Sequence, residues 1–324
     1  MKNHLVSIII PTYNRANLIG GTLDSILAQT YTTWECIIVD DGSVDGTEEL
    51  MQIYIEKDNR FQYHKRPPDR PKGANACRNY GLELSKGEFI NWFDSDDRMV
   101  AHKIQKQVLL LCGNQYDFTV CQSMLYDVKN KKNIGLKAAF LKSQNLIEDF
   151  VTYKVGWLIQ ASLWRKKFIE KNQLSFDESL YQAQDFDFHL RVLLKSTNYN
   201  CTNEVLVQVN IHSGNMSNSR TNSPQKIYSN AKVDLYIIKI LYDRISNQTI
   251  VNKFNDINIL FKASLINCNY WLAVKLYMFL IKSIKYVNIR YYKKHLFLLR
   301  TMIAFTSFII FKKGEKLISH NLQQ

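Results

Sequence analysis

Three carboxylates lie within four positions of the segment NWFDSDDRMV, at Asp94, Asp96 and Asp97. Carboxylates this close repel one another and raise each other's pKa unless a cation lies among them. Mg²⁺ and Mn²⁺ prefer such oxygen ligands and complete their coordination with water and phosphate oxygens. The cluster therefore predicts a Mg²⁺ or Mn²⁺ site. A solvated turn that caps the following helix is the alternative.

A second acidic pair lies in the segment VDDGS, at Asp40 and Asp41. A carboxylate in this position can accept a hydrogen bond from a nucleobase or a ribose. Gly42 lets the backbone approach a ligand closely. A tight turn with a helix cap is the simpler interpretation of this pair alone. Because each cluster directly follows an apolar, strand-like run, the two together favour a shared binding site.

Strand and helix patterns alternate through the first hundred residues. Apolar, β-branched runs predict four strands, the third of them weaker than the others, at 5–10, 36–40, 61–65 and 88–93. Helical periodicity with cap and turn signals predicts the helices between them, at 15–29, 45–56 and 74–87, the last ending on Gly87. This alternation predicts βαβ units on a parallel sheet.

Polar clusters follow three of these strands, at 11–14, 40–43 and 94–97. The carboxyl ends of parallel strands lie at one edge of a sheet, and ligands of such sheets bind there. The sequence therefore predicts that residues far apart along the chain converge on one site.

The pattern is looser after residue 97. Helices are predicted at 99–112, 185–195 and 227–246, and strands at 116–126 and 203–211. The polar segment 213–225 has no periodicity and predicts a mobile loop.

The bulk composition indicates a folded globular protein. The 324 residues are 46% hydrophobic and 22% charged, which is typical of a chain with a sizeable core. None of the six cysteines forms a CxxC pair, so reduced thiols in a cytosolic protein are expected. The first apolar run is too short for a signal peptide and ends at Pro11, so the catalytic part is expected to face the cytoplasm.

The net charge of +13 is concentrated near the C-terminus. Residues 251–324 contain twelve Lys and Arg against two acidic residues, so they carry +10 of it. This basic region is rich in apolar residues and contains no recognised nucleic-acid-binding motif. Nucleic acid is therefore not an expected partner.

The motifs of the first hundred residues resemble the nucleotide-sugar half of a family 2 glycosyltransferase of the GT-A fold. The resemblance covers residues 4–100, where five motifs occur in the right order, and continues more weakly through 156–217. The motifs are VSIIIPTYNR, SILAQTY, WECIIVDDGSVDGT, GANACRNYGL and GEFINWFDSDD.

The resemblance implies an α/β fold, with a Rossmann-like mixed sheet flanked by helices. Residues 1–225 would form the GT-A catalytic domain, with 1–100 as its nucleotide-sugar half and 101–225 as its acceptor half. Residues 226–324 would form a helical, basic C-terminal region that no shared motif covers.

The resemblance also implies roles for individual residues around the donor. Its nucleotide-binding positions are Pro11, Thr12, Tyr13, Asp40, Asp41, Arg78, Asp94 and Ser95. Asp41 matches the aspartate that binds a uracil-type base, and Asp96 matches the metal-binding aspartate of the DxD motif. The metal positions are Asp96, Asp97 and His212. A structural histidine is the alternative for the last of these.

The expected catalytic base is Asp185, in the segment FDESLYQAQDFDFHLRV. The family often has Glu-Asp at this point, whereas this chain has Gln184 before the aspartate. Asp187 is the second candidate, and an acidic helix start favoured by the helix dipole is the alternative. Trp157 is expected either to line the acceptor site or to lie in the core. Arg220, in the loop after the base, is expected to close over the donor.

The implied reaction is an inverting transfer from a nucleoside diphosphate sugar, a UDP-sugar in the first instance, to a hydroxyl of a glycan or glycolipid. The enzyme would be a hexosyl- or N-acetylhexosaminyltransferase of bacterial surface polysaccharide synthesis. The alternatives are a sugar nucleotidyltransferase and a non-catalytic nucleotide-sugar-binding protein. The first is disfavoured because no glycine-rich phosphate loop follows the first strand.

Two basic, apolar segments near the C-terminus, 271–286 and 291–316, predict contact with a membrane surface. The longest apolar stretch, 296–311, is shorter than the roughly 20 residues of a transmembrane helix. It is typical of an interfacial helix bound to anionic lipid. The expected location is therefore peripheral, at the inner face of the cell membrane. A helical pair packed on the protein or on a second subunit is the alternative.

Overall fold

The computed structural model describes residues 4–113, 115–212 and 223–311. These residues form two compact units. Unit 1 consists of residues 4–179 and 184–212, and unit 2 of residues 180–183 and 223–311.

A nine-stranded mixed sheet forms the centre of unit 1, with the strand order β3-β2-β1-β4-β8-β6-β9-β5 and β7 paired with β6. The strands in chain order are β1 (Val6–Thr12), β2 (Trp34–Asp40), β3 (Phe61–Lys65), β4 (Phe89–Trp92), β5 (Arg98–Met99), β6 (Phe118–Asp127), β7 (Lys132–Leu136), β8 (Ser162–Arg165) and β9 (Tyr199–Ile211).

The first four strands pair in parallel, as the βαβ pattern predicted. Strands β1, β2 and β4 are buried on both faces, which explains their continuous apolar runs. In the register, Thr12 lies opposite Asp40 and Ile9 lies opposite Trp92. Since β2 and β4 flank β1, the polar clusters that follow these strands lie at the same edge of the sheet.

The second half of the sheet is mostly antiparallel. Strand β8 pairs antiparallel with both β4 and β6, while β9 runs parallel to β6. This arrangement confirms the mixed sheet. It also brings the end of β9 towards the acidic cluster, because Arg98 on β5 lies opposite Gln208 on β9.

Seven helices of the described part of unit 1 join or flank these strands: α1 (Ala16–Leu27), α2 (Thr47–Lys57), α3 (Ala74–Leu84), α4 (Lys103–Cys112), α5 (Leu146–Val151), α6 (Lys166–Lys171) and α7 (Gln184–Lys195). A 3₁₀ turn, Ile159–Ala161, precedes β8.

Helix α3 ends at Leu84, three residues before the glycine expected to cap it. Gly87 has a different role, because a Cβ atom there would lie 2.6 Å from the backbone nitrogen of Ser7. Its own backbone N–H donates to Ser7 Oγ at 2.8 Å. The glycine is therefore required by close packing against β1, and sequence alone does not distinguish this requirement from a helix cap.

Unit 2 is helical in its described residues, with α8 (Pro224–Leu241), α9 (Asn247–Ile266), α10 (Tyr270–Ser283), a 3₁₀ turn (Ile284–Tyr286) and α11 (Tyr291–Phe311). Helix α8 begins three residues before its predicted start, because Ser223 caps it and Pro224 occupies its first turn. This is a standard start signal. The sequence pattern instead assigns Ser223 and Pro224 to the preceding loop.

A separate apolar core holds unit 2 together and includes residues from all four helices. Helix α11 contributes Phe297, Ala304 and Phe308 to it. Among the described residues, no helix is long and apolar enough to span a bilayer. Because Phe297, Ala304 and Phe308 are buried there, one face of the predicted interfacial segment packs into the core of unit 2.

Candidate active site

Arg78 is the centre of the polar cluster at the carboxyl edge of the sheet. It projects from α3 and is almost completely buried. Its Nη2 donates to Asp94 Oδ1 at 2.9 Å, and its Nη1 donates to Gln184 Oε1 at 3.2 Å. Asp185 Oδ1 lies 3.9 Å from the same Nη1. One guanidinium therefore links the end of β4 to the start of α7.

Burial raises the pKa of Asp94, and the nearby charge of Asp185 raises it further, whereas Arg78 acts in the opposite direction. The Nε of Arg78 is buried and has no hydrogen-bond partner among the described residues. The cluster thus combines two carboxylates with a cation that has spare hydrogen-bonding capacity, which suits an anionic ligand.

Asp185 lies in the first turn of α7, and its Oδ2 accepts a hydrogen bond from the backbone N–H of Ile159 at 3.2 Å. Its side chain remains 25% exposed, so solvent and small molecules reach it. The second candidate base differs, because both Nε and Nη2 of Arg191 donate to Asp187 Oδ2, at 2.9 and 2.7 Å. The geometry favours Asp185 as the residue available to a substrate.

Asp96 lies next to His212, with Oδ2 and Nε2 3.1 Å apart. Arg15, at the start of α1, brings its Nη2 to within 3.9 Å of the same oxygen. Burial and the charge of Asp94 raise the pKa of Asp96, while Arg15 and His212 lower it. The structure therefore brings together a carboxylate and a histidine that are 116 positions apart in the chain.

The carboxylate of Asp97 is used within the protein. The side chain of Gln160 donates to its Oδ2, and the backbone N–H of Asn210 donates to its Oδ1 at 2.9 Å. Burial raises the pKa of Asp97 well above its usual range, with added repulsion from Asp94 and Asp96. Asp97 thus points in a different direction from Asp96 and anchors the loop.

Among the described residues, no three His, Cys, Asp or Glu side chains form a preformed metal-binding set. The predicted trio of Asp96, Asp97 and His212 is therefore not assembled as such, because Asp97 is held by Gln160 and Asn210. Asp96 and His212 nevertheless offer a carboxylate oxygen and an imidazole nitrogen beside Asp94. This partial donor set suits an ion that takes its other ligands from a bound diphosphate and water.

Asp41 lies beyond the end of β2, with its backbone N–H donating to Thr12 O at 2.9 Å. Its Oδ1 accepts from Arg66 Nε at 2.5 Å, and its Oδ2 accepts from the backbone N–H of Gly73 at 2.8 Å. A carboxylate has about four lone-pair positions, so two remain for a ligand. Gly73 immediately precedes α3, which places this carboxylate at the start of the helix that carries Arg78.

Asp40 supports the loop after β2. Its oxygens accept from the backbone N–H of Ser43 at 3.1 Å, from Ser43 Oγ at 2.6 Å and from Tyr63 Oη at 2.6 Å. Its side chain is buried. The contacts indicate that Asp40 shapes the loop that presents Asp41.

The end of β1 carries Pro11, Thr12 and Tyr13. Thr12 is buried, and its Oγ1 has no hydrogen-bond partner among the described residues. The ring of Tyr13 is about half exposed. Ser95, in the acidic loop, is buried. An unpaired hydroxyl beside an exposed ring gives this edge both a polar and an apolar contact for a ligand.

Trp157 lies in an aromatic cluster inside unit 1, against Phe118, Phe150, His189 and Tyr199. It is buried, as the core alternative predicted. The loop that carries Arg220 lies outside the described residues.

Sequence reasoning missed four residues that shape this site: Arg15, Arg66, Gln160 and Asn210. The only local signal is that Asn210 lies two positions before His212 in a segment of alternating polarity, and this spacing predicts that both project from one face. Gln160 and Arg66 had no signal, because a single polar residue does not indicate which distant carboxylate it contacts.

Comparison with known proteins identifies the family of this chain. The family model described as glycosyl transferase family 2 matches residues 7–195. The chain belongs to this family. An uncharacterised glycosyltransferase of Rickettsia typhi is 32% identical over 221 residues, which cover 67% of each chain. This member of family 2 is therefore a glycosyltransferase, and the expected class of enzyme is confirmed.

Two further relatives come from Escherichia coli. A putative colanic acid biosynthesis glycosyl transferase, WcaA, is 30% identical over 240 residues, covering 70% of this chain and 79% of that protein. WfgD, a UDP-Glc:α-D-GlcNAc-diphosphoundecaprenol β-1,3-glucosyltransferase, is 34% identical over 134 residues, covering 41% of this chain and 50% of that protein.

A solved structure has the same fold. Residues 1–349 of S. aureus TarS, in complex with UDP-GlcNAc, align with a TM-score of 0.68 and 18% identity, covering 92% of this chain and 87% of that one. The GT-A fold predicted from the motifs is thereby confirmed.

Proposed function

We propose that this glycosyltransferase moves a sugar from a nucleoside diphosphate donor, a UDP-sugar, to a hydroxyl of a glycan or glycolipid, with inversion at the anomeric carbon. The observation that carries the proposal is the Arg78 bridge. It holds Asp94 and Asp185 around one guanidinium, at 2.9 and 3.9 Å. A donor-binding carboxylate and a proton acceptor are then close enough to act on one substrate.

The donor would lie along the carboxyl edge of the parallel strands. Asp41 would accept a hydrogen bond from the imide N–H of the base, and Asp40 would support its loop. The nucleoside pocket would be lined by Pro11, Thr12 and Tyr13. Arg78, with Asp94 and Ser95, would lie beside the sugar diphosphate. The buried, unpaired Nε of Arg78 and Oγ1 of Thr12 support this placement, since buried polar groups are ordinarily satisfied.

A Mg²⁺ or Mn²⁺ ion fits the donor set of Asp96 and His212, with Asp97 holding the loop in place. Such an ion neutralises charge on a departing diphosphate. Arg15 lies 3.9 Å from Asp96, and this cation would add to the positive field on the same leaving group. The two charges together would make the nucleoside diphosphate a better leaving group.

Asp185 would act as the general base. It would take the proton of the acceptor hydroxyl as that oxygen forms a bond to the anomeric carbon. The bond between this carbon and the diphosphate oxygen would break on the opposite face, and its electron pair would leave with the nucleoside diphosphate. The hydrogen bond from the backbone N–H of Ile159 would hold the carboxylate in orientation.

The proposed acceptor is a glycan or a lipid-linked glycan, in bacterial surface polysaccharide synthesis. Support comes from relatives whose names include colanic acid biosynthesis and a diphosphoundecaprenol acceptor. A lipid-linked acceptor lies at a membrane surface, so we propose a peripheral location at the inner face of the cell membrane. The basic, apolar helices of unit 2 support this location.

The proposed reaction predicts that turnover releases a nucleoside diphosphate and no pyrophosphate. The assay would screen UDP-glucose, UDP-N-acetylglucosamine and their galacto epimers with Mn²⁺, Mg²⁺ or EDTA, and would identify the products by chromatography. EDTA should abolish both turnover and tight donor binding. Release of pyrophosphate would support a nucleotidyltransferase instead, and binding without turnover on any acceptor would support a binding protein.

Gln160 should tune metal binding through Asp97. We expect Gln160→Leu to raise the Mn²⁺ concentration needed for half-maximal UDP-sugar binding by about 10-fold, because residues that orient ligand loops have effects of this size. Gln122→Leu is the matched control. It removes a different buried glutamine, whose Nε2 donates to the backbone carbonyl of Ala138. Equal Mn²⁺ dependence in the two variants, measured by calorimetry, would show that Gln160 is only structural.

A further inference from the structure

The outward face of α10 is apolar, although surface helices ordinarily present polar residues there. Trp271, Val274, Met278 and Ile281 are 63, 43, 48 and 45% exposed. Their spacing of three or four residues places them in one row along the helix. We call these four residues the α10 stripe.

The α10 stripe is not needed for the core of unit 2. The opposite face of the helix supplies that core, through Leu272, Leu276, Phe279 and Leu280. The helix is therefore apolar on two sides. Its inner side is buried by the other helices of unit 2, and the described residues leave the α10 stripe at the surface.

The charges around the α10 stripe have one sign. Lys275 lies over the ring of Trp271, with Nζ 3.7 Å from the ring centroid. Lys282, near the end of the same helix, and Lys285, in the 3₁₀ turn that follows it, are also exposed. Between residues 257 and 311 the sequence has eight Lys and Arg and no Asp or Glu. A partner for this surface must therefore be negatively charged and must also accept apolar side chains.

Helix α11 extends the same character. It lies beside α10, since the rings of Tyr277 and Phe305 stack with centroids 6.1 Å apart. It also leaves Leu296, Leu299 and Ile303 exposed at helical spacing. Unit 2 thus exposes apolar side chains on a second helix as well.

We propose that the α10 stripe docks unit 2 onto an anionic lipid bilayer. Its apolar side chains enter the boundary between headgroups and acyl chains, where tryptophan is favoured, and the neighbouring lysines contact lipid phosphates. This inference deepens the membrane part of the proposed function by naming the residues that make the contact. It does not depend on the catalytic residues, because the test below measures binding and not transfer.

Trp271 provides a direct signal for this docking. It is the one exposed tryptophan of the five in the chain, since Trp34, Trp92, Trp157 and Trp164 are buried. The full-length protein would be mixed with phosphatidylcholine vesicles or with vesicles containing about one-third phosphatidylglycerol. We expect the anionic vesicles alone to shift the emission of Trp271 to the blue and to protect it from acrylamide. Trp271→Phe should remove the signal, while sedimentation still reports binding.

A pair of charge-matched variants tests the position of the surface. Met278→Glu/Ile281→Glu places two acids on the α10 stripe and should weaken sedimentation with anionic vesicles by at least about 10-fold. Ile240→Glu/Ile259→Glu makes the same charge change at exposed positions of α8 and α9 and should have a much smaller effect. Transfer to a soluble acceptor should be unchanged in both variants, so that failure of docking and failure of catalysis are separable.

Three results would overturn the proposal. They are equal binding to neutral and anionic vesicles, equal loss in the two charge-matched variants, and no protection of Trp271 on vesicles. If the stripe instead joins two copies of the chain, light scattering would show a dimer that Met278→Glu/Ile281→Glu converts to a monomer, and vesicle binding would be absent.

Discussion

Asp185→Asn should lower kcat by about 100- to 10,000-fold, the range expected for loss of a general base. The amide cannot accept the proton of the acceptor hydroxyl, although it has nearly the same size and can still receive the hydrogen bond from Ile159. UDP-sugar binding should stay within about two-fold of the native protein, because the proposed base contacts the acceptor. Initial rates and donor titrations without acceptor would measure the two quantities separately.

Asp187→Asn is the control for this experiment. It makes the same chemical change two positions along α7, at a carboxylate that Arg191 holds at 2.7 Å. We expect a modest loss of stability and near-normal kcat. Full activity of Asp185→Asn, or a larger kcat defect in the control, would assign the base to another residue.

Asp96→Ala should abolish metal-dependent donor binding and, with it, turnover. The substitution removes the carboxylate that lies 3.1 Å from His212, and with it half of the proposed protein ligand pair. We expect the affinity for a UDP-sugar in the presence of Mn²⁺ to fall at least about 10-fold, towards the value measured in EDTA. Calorimetric titrations with Mn²⁺ and with EDTA would measure this loss.

Asp127→Ala is the matched control for Asp96→Ala. It removes one carboxylate from the last residue of β6, where it accepts hydrogen bonds from Asn130 in the following turn, and should leave donor binding unchanged. The contrast with Asp185→Asn is equally informative, since both active-site variants should be inactive while only Asp96→Ala should lose Mn²⁺-dependent affinity. If Asp96→Ala bound the donor normally with Mn²⁺, the metal site would have to lie elsewhere.

The parallel half of the sheet was predictable because its signals are local. Strands buried on both faces need continuous apolar, β-branched residues, and β1, β2 and β4 have them. The polar residues that follow had to meet at one edge, since parallel strands share the direction of their carboxyl ends. The prediction that Asp41 and the acidic loop share this edge followed from that rule.

The contacts inside the site were not predictable, because they join segments far apart in the chain. Asn210 contacts Asp97 across 113 positions, and Gln160 contacts it across 63. Three adjacent carboxylates appeared equivalent in the sequence, yet the structure turns Asp97 inward and leaves Asp96 beside His212. Which carboxylate faces a ligand depends on the donors that surround it, and these donors come from β9 and from the turn before β8.

In the C-terminal helices, too, the sequence determined one part of the result and the tertiary structure decided the other. Composition alone determined that residues 251–324 are basic and rich in apolar side chains. The period of these side chains permitted either a buried helix pair or a membrane-facing surface, because each needs apolar residues at helical spacing. Only the packing of unit 2 decided which faces are buried, by filling its core from one side of α10 and of α11. The sequence thus determined the fold class and the order of its motifs, while tertiary structure decided which side chains remain available to a ligand.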